Sequence, residues 1–417
     1  MDKVKRGSGL ASPPKAESAG RGGHLRLPAG RSEDPPQADR TGPHVEIMKQ
    51  THGGDIYALA RQLACPPDQI IDFSASINPL GISPRALKAL EQAFNRLDHY
   101  PDPQSTVLKE QLSVYHHLTP QCLLVGNGSI ELIYLLSRAL KPKKVLIVSP
   151  TFSEYERACR LSGAKVDHLW LRARDGFRVK VDAVVKKTHK GMDMLFLCNP
   201  NNPTGQLLTR EEIRWLLKRL ADSSTLVVLD EAFIDYQPEQ SLLASALGGP
   251  DSAGMNHPNL VVLRSFTKFF ALSGLRVGYL VARPGLIERL QAAKEPWSVN
   301  TLAQIAAGES LQDTIYVKES LRFMEMERAR FISALSSIPG FLILPSHANF
   351  VLIRIVNQAI SVQSLYESLV LEGLLVRDCE SFRGLGPGYL RVAIKRQEDN
   401  GRLCRAILTA VRQAPSS

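Results

Sequence analysis

The sequence predicts an α/β protein with a mostly parallel sheet, followed by a smaller α+β part. Two observations carry this. Short β-branched runs at 145–149, 194–198, 226–230, 260–265 and 278–281 alternate with amphipathic helical segments such as 131–140 and 210–221. After about Pro296 the texture shifts, and a long helical stretch at 317–337 precedes strand-like runs at 349–355, 374–379 and 389–394.

Residues 1–44 are rich in Gly, Pro, Ser, Arg and Ala and nearly lack large apolar side chains. Such a segment cannot bury enough surface to offset its ordering entropy, so it reads as a disordered tail. It has no apolar core of a secretory signal, and Asp2, Glu17, Glu33 and Asp34 speak against a transit peptide. Residues 45–95 are expected to join the C-terminal part, 297–417, in a small domain, and 96–296 to form the large one. Within the large domain, Thr209 followed by Glu212 is a capping box that starts the helical segment at 210. No internal repeat is visible.

Composition narrows the function. With 417 residues, 44% hydrophobic and 22% charged, the chain has the balance of an ordinary soluble globular protein. The net charge of 51 − 41 = +10 suits a nucleic-acid binder or a protein that handles phosphorylated metabolites. Eight Lys/Arg against five Asp/Glu in residues 1–44 supply part of it. No aromatic-basic stripe, helix-turn-helix pattern or zinc spacing accompanies the charge, so nucleic acid is not the expected partner. No apolar run approaches the roughly 18 residues of a membrane span. The six cysteines lie far apart without a C-x-x-C pair, which speaks for free thiols in a reducing cytoplasm and against a metal site.

Ligands of open α/β sheets bind beyond the carboxyl ends of the strands, and four motifs stand there. Asn199-Pro200-Asn201-Asn202-Pro203-Thr204-Gly205 follows the run at 194–198, and Asp230-Glu231-Ala232-Phe233 ends the next. Ser265-Phe266-Thr267-Lys268 follows the run at 260, with Arg276 eight residues beyond the lysine. Upstream, Gly126-Asn127-Gly128-Ser129 opens a helix. Singly, these are turns, a helix cap and a surface lysine. Together they supply a helix N-terminus, a serine and an arginine for a phosphate, a lysine for an aldehyde, and an aspartate for a pyridine nitrogen.

The order of these motifs resembles the fold-type I pyridoxal-phosphate enzymes in their aminotransferase class I/II branch, from about residue 48 to the C-terminus. The resemblance implies pyridoxal 5′-phosphate as cofactor, with Lys268 condensing with its aldehyde and Asp230 pairing with its ring nitrogen. Asn202 would contact the ring oxygen, and Gly128, Ser129, Ser265 and Arg276 the phosphate. Phe152 matches the ring-stacking position, with Tyr155 the less favoured candidate. Tyr100, in His99-Tyr100-Pro101-Asp102-Pro103, matches a tyrosine that reaches the partner's cofactor phosphate, so a homodimer is implied. Phe233 stands where many members carry a tyrosine bonded to the ring oxygen.

Two subfamilies are similar. Tyr100-Pro101-Asp102-Pro103 and the Asn-Pro motif resemble the histidinol-phosphate aminotransferases. His52-Gly53-Gly54-Asp55, Phe73-Ser74-Ala75-Ser76-Ile77-Asn78-Pro79-Leu80-Gly81 and Phe382-Arg383-Gly384-Leu385 resemble the L-threonine-O-3-phosphate decarboxylases of cobalamin biosynthesis, which is the favoured reading. It implies a phosphorylated amino acid as substrate, held by Arg377 and Arg391, with His52 and Gly53 near its phosphate and Asn202 near its carboxylate. The alternative is a histidinol-phosphate or aromatic aminotransferase.

Overall fold

A strand that is apolar on both faces is stable only between two covering layers, and the apolar runs between residues 123 and 282 obey that rule. In the computed structural model, residues 53–243 and 257–413 are described. The expected tail at 1–44, and His52, lie outside them. After a short strand β1 (Ile71–Asp72) come β2 (Leu123–Gly126), β3 (Lys144–Ser149), β4 (Lys165–Trp170), β5 (Met194–Cys198), β6 (Leu226–Asp230), β7 (Leu260–Ser265) and β8 (Gly278–Ala282). β2 to β8 form one sheet in the order 2-8-7-6-5-3-4. β3 to β7 pair in parallel, while β8 is antiparallel to both β2 and β7.

Alternate residues of these strands feed two separate cores. Leu195, Leu197, Val227, Leu229 and Val262 pack in one, and Met194, Phe196, Val228, Val261 and Leu263 in the other. Each such side chain contributes about 1.5–3 kcal/mol by leaving water. Both faces being apolar, the strands show no polar alternation, so their length and their flanking turns identify them in the sequence. β2 and the edge strand β4 escape the sequence reading; β4 interleaves Lys165, Asp167 and His168 with its apolar residues.

The helices start as their caps dictate. Thr209 accepts from the Glu212 amide and Glu212 accepts from the Thr209 amide, so the expected capping box opens the helix Arg210–Arg219. The helix Gly128–Leu140 has Asn127 as N-cap but no side-chain cap bond, which leaves first-turn amides for another acceptor.

The C-terminal part contains β9 (Phe341–Ile343), β10 (Phe350–Ile355), β11 (Leu374–Leu375), β12 (Arg377–Asp378) and β13 (Tyr389–Ala393). The run expected as one strand at 374–379 is two. β11 pairs in parallel with β1, whereas β12 pairs with β13 in the antiparallel sheet β12-β13-β10-β9. The ladder breaks at Val376 because the chain changes partners there. The break sets Arg377 directly opposite Arg391.

Candidate active site

The parallel register puts the carboxyl ends of β5, β6 and β7 side by side, with Cys198 opposite Asp230 and Asp230 opposite Leu263. The Asn-Pro motif, Asp230 and Ser265 therefore converge although they are far apart in sequence. They border a cavity of about 270 Å³, which Lys268 also lines. Asp230 is 3% exposed. Its Oδ2 accepts from the Tyr155 hydroxyl at 2.7 Å and its Oδ1 from the Ala232 amide at 2.9 Å. Burial pushes the Asp230 carboxyl above the usual range, and these hydrogen bonds and Lys268 oppose it.

Lys268 lies with its Nζ 5.7 Å from the centre of the Phe233 ring. Burial, helped by the Arg391 and Arg276 guanidiniums, pulls its ammonium from 10.5 down to about 8. A neutral amine is the nucleophilic form, so the surroundings favour attack on a carbonyl.

At one end of the cavity Ser129, Ser265, Thr267 and Arg276 form a cup around the helix start. Gly128 is required there twice over. Its φ of +73° disfavours a side chain, and an added Cβ would stand 2.7 Å from the Arg276 guanidinium. Gly278 on β8 lets that strand approach the helix, since its Cβ would meet the Ser129 amide nitrogen at 2.6 Å. Arg276 donates to the Ser273 carbonyl at 3.0 Å, which fixes its direction. Uncapped amides, hydroxyls and a guanidinium make an anion site.

The other end holds two arginines. Arg391 is buried; it donates to Asn202 Oδ1 and, at 2.6 Å, to the Ser74 carbonyl. Burial lowers its guanidinium to about 10. Arg377, also buried, donates to Ser381 Oγ at 2.8 Å and lies 5.5 Å from the Phe382 ring centre. Like charges opposed on neighbouring strands repel unless an anion lies between or beside them.

Of the residues expected from the sequence, Gly53, Ser129, Phe152, Asn202, Asp230, Ser265, Lys268, Arg276, Arg377 and Arg391 all border this cavity. Gly128 stands behind it against Arg276. Gly53 is packed on Ser74, whose carbonyl oxygen would be 2.3 Å from an added Cβ. Tyr100 is not brought to the cavity within one chain; it is 83% exposed and pairs with Trp297 at 5.1 Å. The sequence suggests Tyr155 only as a ring-stacking candidate, while the structure places its hydroxyl on Asp230. Thr267, Ser74, Ser381 and Phe382 also border the cavity; they sit within or next to the motifs named above but carry no separate signal in the sequence.

The pattern of the family described as aminotransferase class I and II matches residues 68–407. The chain is 36% identical over 364 residues to a threonine-phosphate decarboxylase of Salmonella typhimurium, covering 87% of this chain and 97% of that one. A solved L-threonine-O-3-phosphate decarboxylase from Porphyromonas gingivalis aligns with a TM-score of 0.71 and 29% identity over 82% of this chain and 99% of that one. A histidinol-phosphate aminotransferase from Clostridium acetobutylicum aligns with a TM-score of 0.75 and 32% identity over 82% and 98%.

Proposed function

This chain belongs to the aminotransferase class I and II family, and we propose that it is a pyridoxal 5′-phosphate-dependent carboxy-lyase acting on O-phospho-L-threonine. The products are carbon dioxide and 1-amino-2-propanol phosphate, a step of cobalamin biosynthesis. The observation that carries the substrate assignment is the pair of buried arginines set opposite each other at the cavity, Arg377 and Arg391. A substrate with an anion at each end neutralises both. The relatives named threonine-phosphate decarboxylase support the same reading.

The residues present fit the cofactor. An uncapped helix start, a glycine that admits Arg276 at close range, a buried carboxylate and a lysine with a depressed pKa match its phosphate, ring nitrogen and aldehyde. Gly128, Ser129, Ser265 and Arg276 would hold the phosphate, Asn202 the ring oxygen, and Phe152 one ring face. When bound, the cofactor supplies an electron sink for the pair released from a bond at the substrate Cα.

The chain's own groups do the rest. Asp230 keeps a proton on the ring nitrogen, and Tyr155 and the Ala232 amide hold the carboxylate in place for it. Arg391, tied to Asn202, binds the substrate carboxylate, and Arg377 the phosphate end. Phe233 and Phe382 supply apolar wall to the cavity. The bonding pair left by carbon dioxide would pass to that electron sink, and Lys268 Nζ, having taken up a proton from the substrate's ammonium, would give it to Cα.

We read the protein further as a cytoplasmic homodimer. Free thiols at all six cysteines suit a reducing compartment. Phe94, Leu97, Tyr100, Val107 and Trp297 are exposed apolar side chains that a second copy would cover, with Tyr100 directed to the partner's cofactor phosphate.

The deciding experiment is a product assay on purified protein loaded with cofactor and given O-phospho-L-threonine without a keto acid. Stoichiometric carbon dioxide and aminopropanol phosphate are expected. Amino transfer from histidinol phosphate to 2-oxoglutarate, with no carbon dioxide, would move the chain to the aminotransferase reading.

A further inference from the structure

The loop that brings Ser381 and Phe382 to the cavity is fastened to the large sheet by a cluster outside the reaction centre. Arg383, the next residue, forms an ion pair with Glu156 Oε1, and its guanidinium lies 5.9 Å from the Trp170 ring centre. Gly384, at a φ of +87°, sits so close to Trp170 that an added Cβ would be 2.4 Å from the indole. Trp170 in turn stacks on His168, with ring centres 4.4 Å apart. Glu156 also accepts from Arg160 Nε at 2.7 Å, and its Oε2 lies 3.5 Å from His168 Nε2. The Glu156 side chain is only 15% exposed, so its pair with Arg383 is better shielded than an open surface salt bridge.

The loop needs such an anchor. Gly384, Gly386 and Gly388 all have φ near +85°, a conformation glycine allows but does not enforce. Ser381 and Phe382 both engage Arg377, one by a hydrogen bond and one by its ring. Glu156 follows Tyr155 in the helix Glu154–Leu161, so adjacent residues of one helical turn hold Asp230 and the arginine loop.

We propose that Glu156 and Arg383 are positioning residues for the substrate's distal anion. Their ion pair, with Gly384 seated on Trp170, holds residues 380–385 so that Ser381 and Phe382 keep the Arg377 guanidinium aimed into the cavity. The identity of that anion as a phosphate rests on the function proposed above; the fastening of the loop does not. A loop released from Glu156 must be ordered anew each time substrate binds, which weakens binding of ground state and transition state alike.

The test uses cofactor-loaded Arg383→Met and Glu156→Gln, with Arg383→Lys as the charge-keeping variant. The first two are expected to speed amide hydrogen exchange at 380–385 about threefold or more. They should raise KM for O-phospho-L-threonine about fivefold, with kcat within about twofold and the visible absorbance of the cofactor unchanged. Arg383→Lys should restore most of the KM, and the double variant should be no worse than either single one. Exchange and KM at their original values would overturn the proposal. So would a parallel loss of kcat and cofactor absorbance, because that pattern belongs to general support of the helix. If the unaltered protein does not decarboxylate O-phospho-L-threonine, yet loop exchange still responds to these variants, the fastening stands and the substrate assignment falls.

Discussion

Arg377 and Arg391 stand directly opposite each other on antiparallel strands, both buried; Arg377 donates to Ser381 with Asp378 close by, and Arg391 donates to Asn202 and the Ser74 carbonyl with Asp72 in reach of its charge. Burial is the largest cost to both guanidiniums, and in the function proposed above a doubly anionic substrate would offset it.

Replacing either arginine by methionine should weaken substrate binding by about 2–3 kcal/mol, the worth of hydrogen bonds to a charged group. Unfolding of the substrate-free protein should change by no more than about 1 kcal/mol, because the desolvation of a buried guanidinium is relieved as its hydrogen bonds are lost. Calorimetric titration and thermal melts measure the two effects. Tight substrate binding by Arg377→Met would remove that residue from the site.

Asp230→Ala should bind the cofactor but lose turnover by roughly two orders of magnitude, the scale of losing one preorganised electrostatic contact. Tyr155→Phe removes the 2.7 Å hydrogen bond behind that carboxylate and a contact with the Cys198 thiol. It should cost about 1–1.5 kcal/mol of stability and a smaller part of the rate. Steady-state kinetics of the two variants decide this, and equal losses would mean that Tyr155 has its own role at the cofactor.

Gly128→Ala should impair cofactor retention more than it impairs folding. The φ of +73° and the 2.7 Å approach to Arg276 both oppose a methyl group. The strain alone costs about 1–2 kcal/mol, and displacement of Arg276 adds to it. Dialysis against cofactor-free buffer, followed by absorbance, reads the loss directly. A variant that keeps its colour as well as the parent would refute the cup.

The Lys268 ammonium, lowered to about 8, sets a pH dependence for cofactor uptake. The neutral amine reacts, and a depressed pKa enlarges that fraction: about a tenth at pH 7, against a few ten-thousandths for an ordinary lysine. Loading of the apo-protein should therefore quicken about tenfold per pH unit below pH 8 and level off above it. Lys268→Ala should show no yellow absorbance and no turnover at any pH. A loading rate that climbs steadily to pH 10 would show that the lysine is not perturbed.

Much of this was legible in the chain itself. The apolar runs that became β5, β6 and β7 give their own boundaries, because a doubly covered strand must be apolar throughout and ends where the turn residues begin. The capping box at Thr209 and Glu212 is local, and local chemistry is what a sequence states most plainly. The cofactor motifs follow the same logic, since parallel strands all deliver their carboxyl ends to one edge.

Tertiary structure decided what depends on partners distant in sequence. Whether 374–379 is one strand or two turns on β1, some 300 residues upstream, competing with β13 for the same stretch of backbone. That competition opposes Arg377 to Arg391. The bond from Tyr155 to Asp230 spans 75 residues, and the pair from Arg383 to Glu156 spans 227. Residue types and spacings determined which chemistry the chain can carry; the choice of which buried carboxylate meets which hydroxyl or guanidinium belongs to packing, which no local pattern encodes.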